Sequence, residues 1–413
     1  MMNTNNKLLY FLSFVLIFSI GCEDDEAAAA DPSYDPAGEY VFPSRLVEGS
    51  SSVSYTGQVV RNMLHSDLKT LTDLAMSPGH PYITYDLMNK YYNHQDEADM
   101  MPSFVSQGTA CEPVYINIAT GKNLSGKCNS DELKGWPGVN AEAAAQAWMT
   151  AIADNYAGGV TSGAGTVTSA EGLNYSQMIN KTLYGAVAYD QAFSYLSNYD
   201  ETMPDNVDPK SAGGSYTVAE HKWDEAFGYF GARRDFLTPG DVGDCVDLTS
   251  EHNFGWASYA TKRDNDTENI AYRNGVMFKA DIFNAFVDGR AIIHNEGTVG
   301  DLAEHMTTIR TRWEQLCAAN VIHYIHSVKD DMASDLTSTS VAFSDESADY
   351  NKHWAEMRGF IISLQYNLTN LSESDLDDIV THVGIAPVYP GDTGYADYEG
   401  KLDQVKTILS SLF

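Results

Sequence analysis

Apolar side chains recur along this chain at the spacing of an α-helix, and that spacing most limits what it can fold into. Val59, Val60, Met63, Leu64, Leu68, Leu71 and Leu74 fit one helical face, with Ser54 or Thr56 in front as a cap. The same pattern predicts helices over 82–94 (opened by His80-Pro81), 141–156 and 175–199, the last lined by Met178, Leu183, Val187, Phe193 and Leu196. Further helices are predicted over 219–230, 268–294, 302–328, 348–366 and 398–412. Residues 101–138 and 158–168, rich in Gly, Pro, Ser and Thr, read as loops. No run of alternating strands or regular turn signals is present, so the expected fold class is all-α, a helical bundle. With 43% hydrophobic and 11% aromatic residues the chain can fill a large core.

The N-terminal segment bears on location. Lys7 precedes residues 8–20, a mostly apolar run too short to span a bilayer and suited to a signal-peptide core. It ends in Ser19-Ile20-Gly21-Cys22, which resembles the lipobox of bacterial lipoproteins, with Ser19 where Leu is commoner. The resemblance implies a signal peptide over 1–21, a tether over 22–37 and a single large helical domain over 38–413. It also implies that Cys22 carries the lipid and that the bilayer is a partner, with triacylation needed for lasting attachment. Glu23-Asp24-Asp25-Glu26 resembles a surface-export signal of outer-membrane lipoproteins, although a plain solvated tether would have the same composition. The expected location is therefore the outer membrane, at the cell surface.

Charge narrows the partners. The chain has 57 Asp+Glu against 25 Lys+Arg, a formal charge of −32. Such a surface repels phosphate backbones and anionic headgroups, which excludes nucleic acid and acidic lipid as partners. In an oxidising compartment Cys111 and Cys128, flanking a Gly-, Asn- and Lys-rich loop, are expected to bridge, while Cys245 and Cys317 either pair or stay as buried thiols. No C-x-x-C spacing points to redox or zinc chemistry.

Two segments share a frame. His221-Lys222-Trp223-Asp224-Glu225-Ala226-Phe227-Gly228-Tyr229 and Lys352-His353-Trp354-Ala355-Glu356-Met357-Arg358-Gly359-Phe360 both read Trp-x-Glu-x-x-Gly-aromatic. Each follows two long helices, so an internal repeat of 141–231 and 268–361, two related helical halves, is expected. On a helix His221 lies one turn from Asp224 and Glu225, an arrangement that can hold a metal or orient an imidazole for proton transfer. A helix start with acids at the positive end of the dipole and Trp223 and Phe227 in the core has the same pattern. His353 and Glu356 gain interest through the shared frame. His323 and His326, spaced i,i+3, suit a core or interface at least as well as a metal. Asp281 lies beside the apolar stripe of Phe278, Ile282 and Phe286, facing either a polar cavity or water.

The segment His221-x-x-Asp224 resembles the Gly-x-His-x-x-Glu signature of imelysin-like proteins, helical surface or periplasmic proteins tied to iron acquisition, with Ala219 and Asp224 departing from it. The longer block His221-x-Trp223-Asp224-Glu225-Ala226-Phe227-Gly228-Tyr229 resembles more closely an uncharacterised lipoprotein family defined only as a domain of unknown function. That likeness takes in Tyr55-Thr56-Gly57-Gln58 and His353-Trp354-x-Glu356, so it covers most of the mature chain. It implies a helical lipoprotein and confers no activity.

Three functions compete. The first is a lipid-anchored ligand-binding protein holding iron or another divalent metal through His221, Asp224, Glu225, His353 and Glu356. The second is a glycan- or nutrient-capture lipoprotein working with an outer-membrane transporter, for which the 25 tyrosines supply stacking surfaces. The third, a hydrolase using His221 with Glu225 or Glu356, ranks last. There is no His-Glu-x-x-His, Gly-x-Ser-x-Gly, Walker loop or Gly-x-Gly-x-x-Gly after a strand.

Overall fold

In the computed structural model the described residues are 34–413, apart from 78, 81–82, 96–99, 101–120, 159–163, 241–251, 268–270 and 343–344. They form one unit of packed helices. Eleven helices carry labels below: α1 (Thr56–Leu74), α2 (Tyr85–Asn93), α3 (Ala141–Ala157), α4, α5 (Val218–Phe230), α6 (Gly255–Asp264), α7 (Phe278–His294), α8 (Val299–Ser334), α9 (Ala348–Leu364), α10 (Glu373–Val383) and α11 (Tyr395–Ser410). α4 runs as Tyr175–Leu183, a π-turn at Tyr184–Tyr189, and Asp190–Leu196. Among the described residues there are only isolated bridges and no strand, so the all-α bundle holds.

Three helix starts have a common construction. Asn140, Asn174 and Thr217 cap α3, α4 and α5, each accepting a backbone N–H of the first turn with its side chain. The same three residues pair by an antiparallel bridge with Glu132, Thr168 and Pro209. The bridge holds the cap residue in the extended conformation that capping requires. At α5 a capping box completes the start, because Glu220 reaches back to the Thr217 backbone N–H.

α8, at 36 residues, is the spine, about 54 Å long. It packs against α7, α9, α11 and α6, while α9 also lies on α4, and α5 lies between α1, α7 and the end of α4. Trp313 of α8 is fully buried and touches the rings of Tyr189, Phe193, Phe230, Trp256 and Phe286. One side chain thus ties α4, α5, α6 and α7 to the spine.

The shared frame does the same work twice. Trp223 and Trp354 are both fully buried and donate their indole N–H, to the Phe286 carbonyl at 2.9 Å and the Tyr398 hydroxyl at 2.6 Å. Gly228 and Gly359 are points of close approach to neighbouring segments. A Cβ on Gly228 would lie 2.8 Å from the Cβ atoms of Tyr55 and Gln58, and one on Gly359 would overlap Lys181.

The predicted helices differ from the observed ones at three places. The segment predicted as 268–294 begins only at Phe278, because Asn274 and Gly275 adopt left-handed conformations at φ 48° and 84° and break the chain. α6 and α10 lay outside the predicted set. The expected Cys111–Cys128 bridge is not supported: Cys128 and Cys317 are free thiols, while Cys111, Cys245 and the lipobox lie outside the described residues. Cys317 donates to the Phe360 carbonyl at 3.3 Å inside the core. No described helix is long and apolar enough to cross a membrane.

A Cβ on Gly289 of α7 would overlap the Trp223 ring, whereas nothing lies within 4 Å of one on Gly400 of α11. Gly289→Ala is therefore expected to destabilise by about 1–3 kcal/mol through overpacking, and Gly400→Ala to stabilise by about 0.5–1 kcal/mol through helix propensity. Urea unfolding midpoints of the two variants should move in opposite directions.

Candidate functional site

One turn of α5 sends its polar residues to two different places. Glu220 and Asp224 point inward and are fully buried; His221 and Glu225 point to a cleft. Inside, Arg290 of α7 lies between the two acids, its Nε donating to Asp224 Oδ1 at 2.9 Å and its Nη1 3.2 Å from Glu220 Oε1. Asp224 also accepts the Tyr40 hydroxyl at 2.8 Å and the Ser54 backbone N–H at 2.8 Å, while Arg290 donates to Ser52 Oγ at 2.7 Å. All Asp224 partners are donors, which suits the ionised carboxylate.

The titration of these groups follows. Burial pushes the Asp224 carboxyl up, and Arg290 and its hydrogen bonds pull it back without cancelling the rise. Burial also pushes Glu220 up, but His294, Arg290, the Thr217 N–H and Arg45 together hold it at about 2. The Arg290 guanidinium is raised, because the two acids and Tyr40 outweigh its burial. It also lies 4.7 Å from the Phe42 ring centroid, and Tyr40 stacks on Phe227 at 3.7 Å. Residues 40–54 are thereby strapped over α5 and α7, and the strap ends at the start of α1.

That placement creates the cleft, a cavity of about 420 Å³. α1 forms one wall with Gln58 and Arg61; α5 forms the other with His221 and Glu225. His221 Nε2 is 3.6 Å from Glu225 Oε1, and the Tyr216 ring stacks on the imidazole at 4.9 Å. Gln58 Nε2 donates to Glu225 Oε1 at 3.1 Å. Lys122 and Lys127 come from the connection between α2 and α3 and Lys210 from the loop before α5, and Lys127 donates to the Tyr195 hydroxyl at 3.3 Å. Burial lowers the His221 pKa despite Glu225, so the ring is neutral at pH 7 and can accept as well as donate a hydrogen bond. Four cations and one carboxylate make the cleft basic, in a chain of charge −32.

The five residues expected at one metal site do not come together. Asp224 is committed to Arg290 and faces the core. His221 and Glu225 share the cleft. Glu356 lies in a second cleft, 3.2 Å from Lys181 and accepting the Tyr324 hydroxyl at 3.0 Å. His353 bonds Asp331 at 2.8 Å and lines neither cleft. Among the described residues no three His, Cys, Asp or Glu side chains are grouped to hold a metal ion. His323 and His326 line a recess of only about 50 Å³, where His323 bonds Asp266 at 2.9 Å. Asp281 accepts from Arg312 at 2.8 Å in a half-buried ion pair and lines no cavity described above.

Arg61, the three lysines, Tyr195 and Tyr216 escaped the sequence, since they come from separate segments. Arg290 had a signal: it falls on the same helical stripe as Phe283 and Phe286, where a lone cation needs a buried acid.

The profile of the family described as Domain of unknown function (DUF4856) matches residues 38–410, and the chain belongs to that family. No curated protein and no solved structure matches it.

Removing Arg290 leaves two buried acids uncompensated. Arg290→Met is expected to cost about 3–5 kcal/mol in denaturant unfolding. Because the folded pKa of Glu220 lies below its unfolded value, its contribution is complete above about pH 4.5 and is lost as pH falls toward 2. Urea unfolding across that window should show a shallower acid limb for Glu220→Gln than for the unmodified chain.

Proposed function

We propose that this protein is a lipid-anchored, surface-facing ligand-binding protein that captures a hydroxylated organic anion, such as an acidic sugar chain, in the cleft between α1 and α5. The observation that carries this is the charge contrast: Arg61, Lys122, Lys127 and Lys210 surround a single lining carboxylate in a strongly acidic chain. Low-dielectric walls focus that local positive potential. Tyr195 and Tyr216 offer ring faces, and Gln58, Ser54 and neutral His221 offer hydrogen-bonding groups for hydroxyls.

Two donors at 3.6 Å, with no third His, Cys, Asp or Glu grouped among the described residues, are too few for a tightly held metal, so the donor set favours an organic anion over iron. In this reading Cys22 carries the lipid, and the captured ligand passes to an outer-membrane transporter.

The test is a calorimetric titration with acidic and neutral oligosaccharides of equal length. Acidic oligomers should bind, more weakly as salt rises, and Lys122→Glu with Lys210→Glu should weaken them at least about tenfold, or 1.4 kcal/mol. Equal binding of neutral oligomers, or an unaffected double variant, would overturn the ligand class. Cys22→Ser should release the protein from the membrane fraction and abolish labelling by radioactive fatty acid.

A further inference from the structure

The π-turn of α4 stands beside the second cleft, a cavity of about 350 Å³ between α1, α4, α6 and α9. A π-turn takes carbonyls out of the α-helical register, and they need other donors. Here Lys181 O accepts Ser363 Oγ at 3.1 Å, Tyr184 O accepts Trp256 Nε1 at 3.1 Å, and Ala186 O accepts the Asn129 backbone N–H at 2.8 Å. Three separate segments thus hold the turn in place. It fixes Tyr184 and the preceding Lys181 on the cleft wall.

The floor of the cleft is an ordered polar cluster. Lys181 is 3% exposed, pairs with Glu356 at 3.2 Å, and lies 5.2 Å from the Tyr259 ring centroid. Burial opposes its charge, but Tyr259, Glu356 and Tyr184 outweigh it and raise the lysine pKa. At the rim, exposed Lys262 sits 4.9 Å over the Tyr259 ring, whereas Lys69 is ion-paired with Asp73. With Lys181 balanced by Glu356 and Lys69 by Asp73, Lys262 is the rim cation that can meet an anion.

Gln177 is 6% exposed, lines this cleft, and its Oε1 has no hydrogen-bond partner among the described residues. An amide oxygen removed from water and left unpaired is unfavourable, and a ligand hydroxyl would satisfy it. The π-turn's three anchors, Lys262 at the rim and the unpaired amide converge on one cavity that shares no lining residue with the first cleft.

We propose that this cavity is a second, independent binding site that takes a small hydroxylated monocarboxylate. Lys262 meets the carboxylate, Gln177 accepts a hydroxyl, and the Tyr184 and Tyr259 rings face the ligand's carbon skeleton. The charge of Lys181 is already balanced by Glu356, so Lys181 shapes the floor and leaves the anion to the rim.

The test titrates the full-length chain, purified in detergent, with D-glucuronate and with neutral methyl glucoside. Lys262→Glu and Gln177→Leu probe the second cleft, Lys210→Glu the first, and far-ultraviolet circular dichroism checks that each variant is folded. Glucuronate binding that Lys262→Glu and Gln177→Leu each weaken at least tenfold, with Lys210→Glu leaving it in place, supports the site. Binding abolished by Lys210→Glu alone overturns it and spares the first cleft. No glucuronate binding, or equal binding of methyl glucoside, overturns it too.

Discussion

A single buried guanidinium organises the N-terminal half of this fold. Arg290 lies between Glu220 and Asp224 with no exposure to solvent, and an unpaired charge there would be strongly unfavourable. Its two acids come from one helix, so α5 and α7 are held in one relative position. Further hydrogen bonds to the cluster come from Tyr40, Ser52 and Ser54, which belong to the strap leading into α1. The start of α1, one wall of the first cleft, is therefore set by charges that never touch the cleft. Farther along, Asn62 donates to the Gly228 carbonyl at 3.0 Å and His65 meets the Asn180 carbonyl at 2.9 Å, so α1 is also tied to α5 and α4.

The two clefts divide a common plan. In each, a glutamate of the Trp-x-Glu-x-x-Gly frame meets a polar side chain of an apposed helix, Gln58 for Glu225 and Lys181 for Glu356. The glycine three residues later packs against that same residue. Close helix approach and the polar contact are thus coupled, since a side chain on the glycine would push away the partner of the glutamate. The clefts differ in burial: Glu356 and Lys181 are nearly enclosed, whereas Glu225 and His221 keep contact with solvent.

Much of the scaffold was legible in the sequence because helical burial repeats every three to four residues. α1, α5 and α9 begin and end close to where their apolar spacing puts them. α10 was hidden by its acids, with only Leu376, Ile379 and Val383 buried among Glu373, Asp375, Asp377 and Asp378. The π-turn leaves no mark in composition, because its stability comes from Ser363, Trp256 and Asn129. The pairing of His221 with Glu225 was visible as an i,i+4 spacing. The fate of Asp224 was not: adjacent helix residues point about 100° apart, and its partner lies in another helix. The lining of both clefts joins residues scattered from Arg61 to Glu356 and exists only after folding.

The bridged helix starts bear on how the chain finds this arrangement. Glu132 with Asn140, Thr168 with Asn174 and Pro209 with Thr217 each close a loop of fewer than ten residues, as does Pro43 with Ser51 just ahead of α1. Closing so short a loop takes on the order of 10–100 ns and carries a small entropic cost. These closures therefore precede the slow search for contacts between distant segments. The first residues of the helices they open are set by contacts local in sequence, and the register in which Asp224 meets Arg290 follows from the cap at Thr217.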